Sequence, residues 1–164
     1  MREDDLEEFC SRTRTRLVGA LSLYLGDAGV AEELANEALL RAVDRWAEVK
    51  AMASPEGWVH VVGFNLARSR FRRLAAERRA HERLGRARDS GSNYDPAEAM
   101  EVRTALARLP RRQREAVVCR YYLDLSAADT AAAMRCSPAT VKVHHRTALA
   151  TLRDVGLGDD QEER

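Results

Sequence analysis

Residues 126–153 read SAADTAAAMRCSPATVKVHHRTALATLR, and the fold turns on how that stretch is punctuated. Ser126-Ala127-Ala128-Asp129 is a capping box, an N-cap hydroxyl with an acid three residues on, which opens a short helix to Met134. After Arg135-Cys136, Ser137-Pro138 supplies a second N-cap with proline at the first helical position, so a longer helix runs to about Arg153. A short helix, a turn of a few residues and a longer helix have the dimensions of a helix-turn-helix. Stepped round at about 100° per residue, Val141, His145, Ala148, Leu149 and Leu152 share one face. Lys142, Val143, Arg146 and Thr147 line the other, with Ala139 beside them. A helix that begins with Ser137 and Thr140 and continues into basic residues can donate free N–H groups to phosphate and offer side chains to base edges. Nucleic-acid recognition is the favoured reading; an ordinary helical hairpin in a small bundle fits the bare pattern as well.

Working outward, capping residues and breakers divide the remainder into amphipathic helices, with almost nothing that reads as strand. Asp95-Pro96-Ala97-Glu98 starts a helix to Leu109, and Pro110 starts the next, through Tyr122. A first helix runs from about Asp4 to Leu25 and stops at Gly26-Asp27. A second spans about Gly29 to Trp46, with Leu34, Ala38, Ala42 and Trp46 on one stripe and Glu33, Asn36, Glu37 and Arg41 off it. Ser54-Pro55-Glu56 opens a long third helix through Trp58, Val61, Val62 and Leu66 into an arginine cluster. Asp89-Ser90-Gly91-Ser92-Asn93 has turn formers and no apolar anchor, so a flexible linker is expected there. The fold class is therefore all-α, two small helical domains on either side of residues 88–95: 1–87 and 96–155, followed by an acidic tail at 156–164.

The net charge of +1 hides a segregation. Residues 1–65 hold 7 basic and 12 acidic side chains, residues 66–88 hold 9 Arg and 2 Glu, and residues 103–153 hold 10 basic and 3 acidic. Two basic stretches with an acidic front suit a molecule that meets a polyanion in two places and a different partner at its N-terminal end. By charge alone, solvated arginine helices are an equal alternative.

Other classes are disfavoured. No apolar run approaches the roughly 18 to 20 residues of a membrane span, and the acidic start Met1-Arg2-Glu3-Asp4-Asp5 is the wrong sign for a secretory leader. A cytoplasmic protein without membrane insertion is expected. Cys10, Cys119 and Cys136 lack metal or disulfide spacing and read as reduced thiols, with a redox switch as the lesser alternative. His60, His81, His144 and His145 do not converge, and there is no Gly-rich phosphate loop, so neither catalysis nor a cofactor or metal is expected.

Four strings in this order resemble the extracytoplasmic-function (ECF, group IV) sigma factors of bacterial RNA polymerase, over nearly the whole chain. Ala31-Glu32-Glu33-Leu34-Ala35-Asn36-Glu37-Ala38-Leu39-Leu40-Arg41-Ala42 resembles the polymerase-binding helix of the family's region two. Trp58, Asn65, Leu66, Ala67 and Arg68 resemble its promoter-melting helix. The run from Ala105 through Arg111-Arg112-Gln113-Arg114-Glu115-Ala116-Val117 to Arg120-Tyr121-Tyr122-Leu123-Asp124-Leu125-Ser126 looks like region four. Cys136-Ser137-Pro138-Ala139-Thr140-Val141-Lys142 looks like the start of its recognition helix.

The resemblance implies a promoter-specificity subunit, with no chemistry of its own, whose partners are core RNA polymerase (the largest-subunit coiled coil and the flap) and promoter DNA. A regulatory anti-sigma factor fits the same picture, and the family's occasional C-terminal extension domain is not expected. Polymerase docking would fall to Glu33, Leu34, Asn36, Glu37, Leu40 and Arg41. The minus-ten element would meet Trp58, Asn65, Arg68, Arg70, Arg72 and Arg73 and the loop of about Ala47 to Ser54. For Asn65, base contact and a satisfied core amide both remain open. The upstream element would meet Ser137, Thr140, Lys142, Val143, Arg146 and Thr147, with Arg111, Arg112 and Arg114 as backbone clamps. The chain departs from the family pattern at Val143-His144 and Thr147, where Ser-Arg and a further Arg are common, at His145 where a branched apolar residue is usual, and at Arg135 where glycine is frequent. A helix-turn-helix regulator acting without polymerase is the alternative function.

Overall fold

A computed structural model describes residues 3–83 and 97–154, all of whose regular elements are helical. The expected linker at 88–95 and the tail at 156–164 lie outside the described residues. The N-terminal half comprises α1 (Glu3–Leu25), α2 (Ala28–Asp44), the short α3 (Trp46–Val49) and α4 (Pro55–Arg83). Gly26 turns the chain after α1 at φ 74°, a left-handed conformation that costs glycine little. Asp27 then caps α2, its carboxylate accepting from the Val30 N–H at 2.9 Å. Ala31, Leu34, Ala35, Ala38, Leu39 and Ala42 form the buried stripe of α2. The expected run to Trp46 is broken at Arg45 (φ −117°, ψ 24°), and α3 occupies the first part of what reads in sequence as loop. That break lets Trp46 pack on Phe9 with ring centroids 4.8 Å apart.

Ser54 accepts from the Gly57 N–H at 3.1 Å to start α4, which crosses α1 closely: a Cβ on Gly63 would lie 2.9 Å from Leu17 Cδ1. Around that crossing Leu17, Leu21, Tyr24 and Phe64 are fully buried, each side chain contributing about 1.5 to 3 kcal/mol by leaving water.

The C-terminal half comprises α5 (Ala97–Arg108), α6 (Arg111–Val117), α7 (Ala127–Met134) and α8 (Pro138–Asp154). Between α6 and α7 the expected helix to Tyr122 loosens into a π-helical turn, Val118–Tyr122. It closes with Leu123 N–H on the Val118 carbonyl at 3.1 Å and Leu125 N–H on the Cys119 carbonyl at 2.9 Å, while Asp124 takes φ 52°. The extra residue in this turn swings Leu123 and Leu125 into the core, where both are buried.

Ser126 caps α7 by accepting from the Asp129 N–H at 3.0 Å. Arg135 ends that helix in the left-handed region at φ 50°, ψ 52°, the conformation that makes glycine common there. Ser137 then caps α8 by accepting from the Thr140 N–H at 3.1 Å.

The two halves are not separate in this structure. One apolar core runs through both, joining Leu17, Leu21 and Phe64 to Leu106, Val118 and Leu123. A smaller cluster of Ala116, Ala131, Met134 and Val141 holds the helix-turn-helix itself.

Candidate nucleic-acid interface

The outward face of α8 is where the sequence puts it. Val141 and Ala148 are buried, whereas Lys142, Val143, Arg146 and Thr147 are exposed together, Val143 to 52%. Thr147 is engaged along its own helix, its hydroxyl donating to the Val143 carbonyl at 2.9 Å. An exposed valine among cations, beyond a serine-capped helix start, can meet a base edge or a thymine methyl while its neighbours hold phosphate. His145 lies partly buried on the flank, stacked on Tyr121 at 5.2 Å. Burial, then the nearby Arg120, lowers its pKa below the ordinary histidine value, so its ring is neutral at neutral pH.

On α4, Arg72 and Arg73 are exposed, Arg70 is half-buried, and Trp58 is half-buried beneath the Arg45 guanidinium at 5.8 Å. Arg68 departs from its expected role as a phosphate contact. Its side chain is only 12% exposed, and Nη2 lies 2.6 Å from Oε1 of the fully buried Glu115. Nη2 also donates to the Ala133 carbonyl, and Nη1 to Asn65 Oδ1 at 2.9 Å. The Asn65 carbonyl is thus satisfied within the protein.

The expected backbone clamps differ from one another. Arg114 spends its guanidinium on helix ends: Nε donates to the Leu106 carbonyl at 2.8 Å, Nη2 to those of Ala107 at 3.1 Å and Leu109 at 3.3 Å, and Nη1 to that of Tyr24 at 3.1 Å. All four lie at the ends of α5 and α1, where a helix runs out of N–H partners, with Leu106 also accepting from the Leu109 N–H; four of the five N–H groups of Arg114 are thus engaged within the protein, a correction to its expected role. Arg112 pairs with Glu115 Oε2 at 3.0 Å. Arg111 is exposed and lies over the Phe71 ring at 4.8 Å.

On α2, Glu33, Asn36, Leu40 and Arg41 are exposed and Glu37 is half-buried, with Leu40 61% and Val43 41% accessible. Glu37 accepts from Arg41 Nε at 2.9 Å, and Asn36 Oδ1 from Arg14 Nε at 2.9 Å. Leu34 does not share this surface. It is 7% exposed within the core, because its position on the stripe of Ala31 and Ala38 turns it toward α1 and α4.

The family model described as "Sigma-70, region 4" matches residues 99–152. The "ECF RNA polymerase sigma factor SigC" of Mycobacterium tuberculosis is 33% identical over 161 residues, covering 94% of this chain and 82% of that protein. This chain belongs to the ECF family of RNA polymerase sigma factors. An "RNA polymerase sigma-E factor" of Streptomyces antibioticus is 30% identical over 157 residues, covering 94% of this sigma factor and 87% of its relative. In fold, the sigma factor is similar over 95% of its length to the sigma factor RpoE of Bartonella quintana, solved with the anti-sigma factor NepR. That match has a TM-score of 0.78 at 20% identity and covers 99% of the solved chain.

The residues of the sigma factor that sequence reading passed over are those that join its halves. Glu115 sits inside the quoted region-four string, yet a lone acid among arginines reads as solvated. Arg16, on α1, donates to the Leu123 carbonyl at 3.0 Å, and Tyr122 rests on Gly19, where a Cβ would fall 1.9 Å from the phenolic oxygen. No periodicity in either half announces such contacts.

Proposed function

We propose that this sigma factor binds core RNA polymerase through the exposed face of α2 and selects promoters with two separate surfaces. Glu33, Asn36, Glu37, Leu40 and Arg41 form the docking face for the largest-subunit coiled coil; an exposed leucine bordered by charges suits an interface better than water. Residues 1–87 act as the minus-ten module, in which Trp58 and Asn65 meet the unstacked strand and Arg70, Arg72 and Arg73 neutralise phosphates. Residues 96–155 act as the upstream-element module, with Lys142, Val143, Arg146 and Thr147 in the major groove and Ser137 and Thr140 at the helix start. The flap and a regulatory anti-sigma protein are further partners. An apolar groove lined by Leu23, Val102, Leu106, Tyr121 and Leu152 supports the idea of a partner helix seated across both halves. The protein adds no catalytic group, and it works in the cytoplasm with polymerase.

The observation that carries this reading is the cap at Ser137 followed by an exposed basic face on α8, in a chain whose relatives match both halves. Run-off transcription by core polymerase on fragmented genomic DNA is the test: promoter-specific transcripts should appear only when the chain is added. Duplex binding with no dependence on polymerase would instead support a free-standing repressor.

A further inference from the structure

Arg135 holds a left-handed backbone, φ 50° and ψ 52°, at a turn where glycine would sit without strain. A side chain kept in spite of that strain points to a use, and its surroundings supply one. Between α1, α4, α6 and the end of α7 opens a cleft of about 250 Å³ bordered by Tyr24, Arg68, Arg111, Arg112, Glu115 and Arg135. Glu115 is the one carboxylate among these lining residues, and both its oxygens are taken, Oε1 by Arg68 at 2.6 Å and Oε2 by Arg112 at 3.0 Å. Arg111 lies over the Phe71 ring at 4.8 Å and Arg135 is exposed; neither meets a carboxylate among the described residues. Four guanidinium groups against one carboxylate leave an excess of three positive charges around the cleft.

The cleft also holds a donor without an acceptor. Tyr24 is fully buried, and its hydroxyl has no hydrogen-bond partner among the described residues. Burial, then Glu115, raises its pKa, while Arg111, Arg68 and Arg112 pull the other way. The hydroxyl therefore stays protonated, in the field of the same side chains that border the cleft. A buried polar group left unpaired calls for an ion or a water to meet it, and the excess of cations selects an anion. A single phosphomonoester brings only about −1.5 to −2, so two joined phosphoryl groups match the charge better, and guanidinium forks are suited to phosphate oxygens. We infer that this cleft is a binding site for a diphosphate group, free or at the end of a nucleotide, held by Arg111, Arg112 and Arg135 with the Tyr24 hydroxyl donating to one of its oxygens. The occupant is a small dissolved anion, and the site is independent of which surfaces meet the promoter.

The test is isothermal titration of the full chain, without magnesium and at constant ionic strength, with sodium pyrophosphate, inorganic phosphate, ADP and AMP. Pyrophosphate should bind at one site per chain, at least about tenfold more tightly than phosphate. Arg135→Gly removes the guanidinium and relieves the backbone. It should weaken pyrophosphate binding at least about tenfold while the melting temperature of the ligand-free chain rises, a separation that a merely structural residue would not produce. Tyr24→Phe, which removes only the hydroxyl, should weaken binding about fivefold. Arg78→Ala takes the same charge from α4 about 15 Å along the helix from Arg68 and should leave the affinity within about twofold. ADP binding as tightly as pyrophosphate, with AMP far weaker, assigns the site to nucleotide ends; pyrophosphate binding alone assigns it to the free anion. Equal affinity for phosphate and pyrophosphate, full affinity in Arg135→Gly or in a folded Tyr24→Phe chain, or an equal loss in Arg78→Ala overturns the inference. If circular dichroism shows Tyr24→Phe unfolded, Arg135→Gly decides.

Discussion

Two residues set apart what holds this chain together from what its surface offers. Arg114 serves four carbonyls at the ends of α5 and α1, partly out of water, so Arg114→Ala should cost about 2 to 3 kcal/mol in urea denaturation. Lys142 touches nothing the fold needs and lies in water; Lys142→Ala should change stability by less than about 0.5 kcal/mol while weakening transcription from promoters that depend on the upstream element. His60 adds a pH dependence. It is 1% exposed, neither ring nitrogen has a hydrogen-bond partner, and burial, with Arg16 adding to it against Glu56, lowers its pKa to about 4. The unfolded chain takes up this proton near pH 6.5 and the folded one only near 4, so stability is full above the first value and declines as pH falls toward the second. The loss amounts to about 3 kcal/mol by linkage, and His60→Leu should flatten that part of a pH series of thermal melts.

At the scale of elements, turn chemistry explains both what was legible and what was not. Helix starts at Ser54, Ser126 and Ser137 were readable because a hydroxyl three residues before an amide has one favourable use, and each makes that bond. Arg135 was readable as a misfit at a glycine position and does sit at φ 50°. Arg135→Gly should therefore stabilise the chain by about 1 kcal/mol, measured as a raised melting temperature. The π turn at 118–122 was hidden, since no glycine or proline marks it and its cause is tertiary: Leu123 and Leu125 must reach the core. The early end of α2 was hidden for the same reason, with Trp46 drawn to Phe9. Leu34 shows the limit of resemblance. The family's string runs through the whole of α2, but only the face of Leu40 and Arg41 reaches water.

For the whole molecule, helical periodicity tells which side of an element is apolar and not what will cover it. The sequence therefore reads as two helical domains on either side of residues 88–95, and nothing in it tells that the larger apolar core takes residues from both halves. Calorimetry should accordingly show a single cooperative unfolding transition in the free chain; two resolved transitions would mean that the halves melt apart.

The ion pair between Arg68 of the N-terminal half and Glu115 of the C-terminal half also bears on ionic strength. Glu115 and Arg68 are withdrawn from dissolved ions, which screen buried pairs far less than exposed ones, whereas every phosphate grip is made in water and weakens steeply as salt rises. Brine would thus loosen the hold on DNA while leaving the fastening between the halves nearly intact.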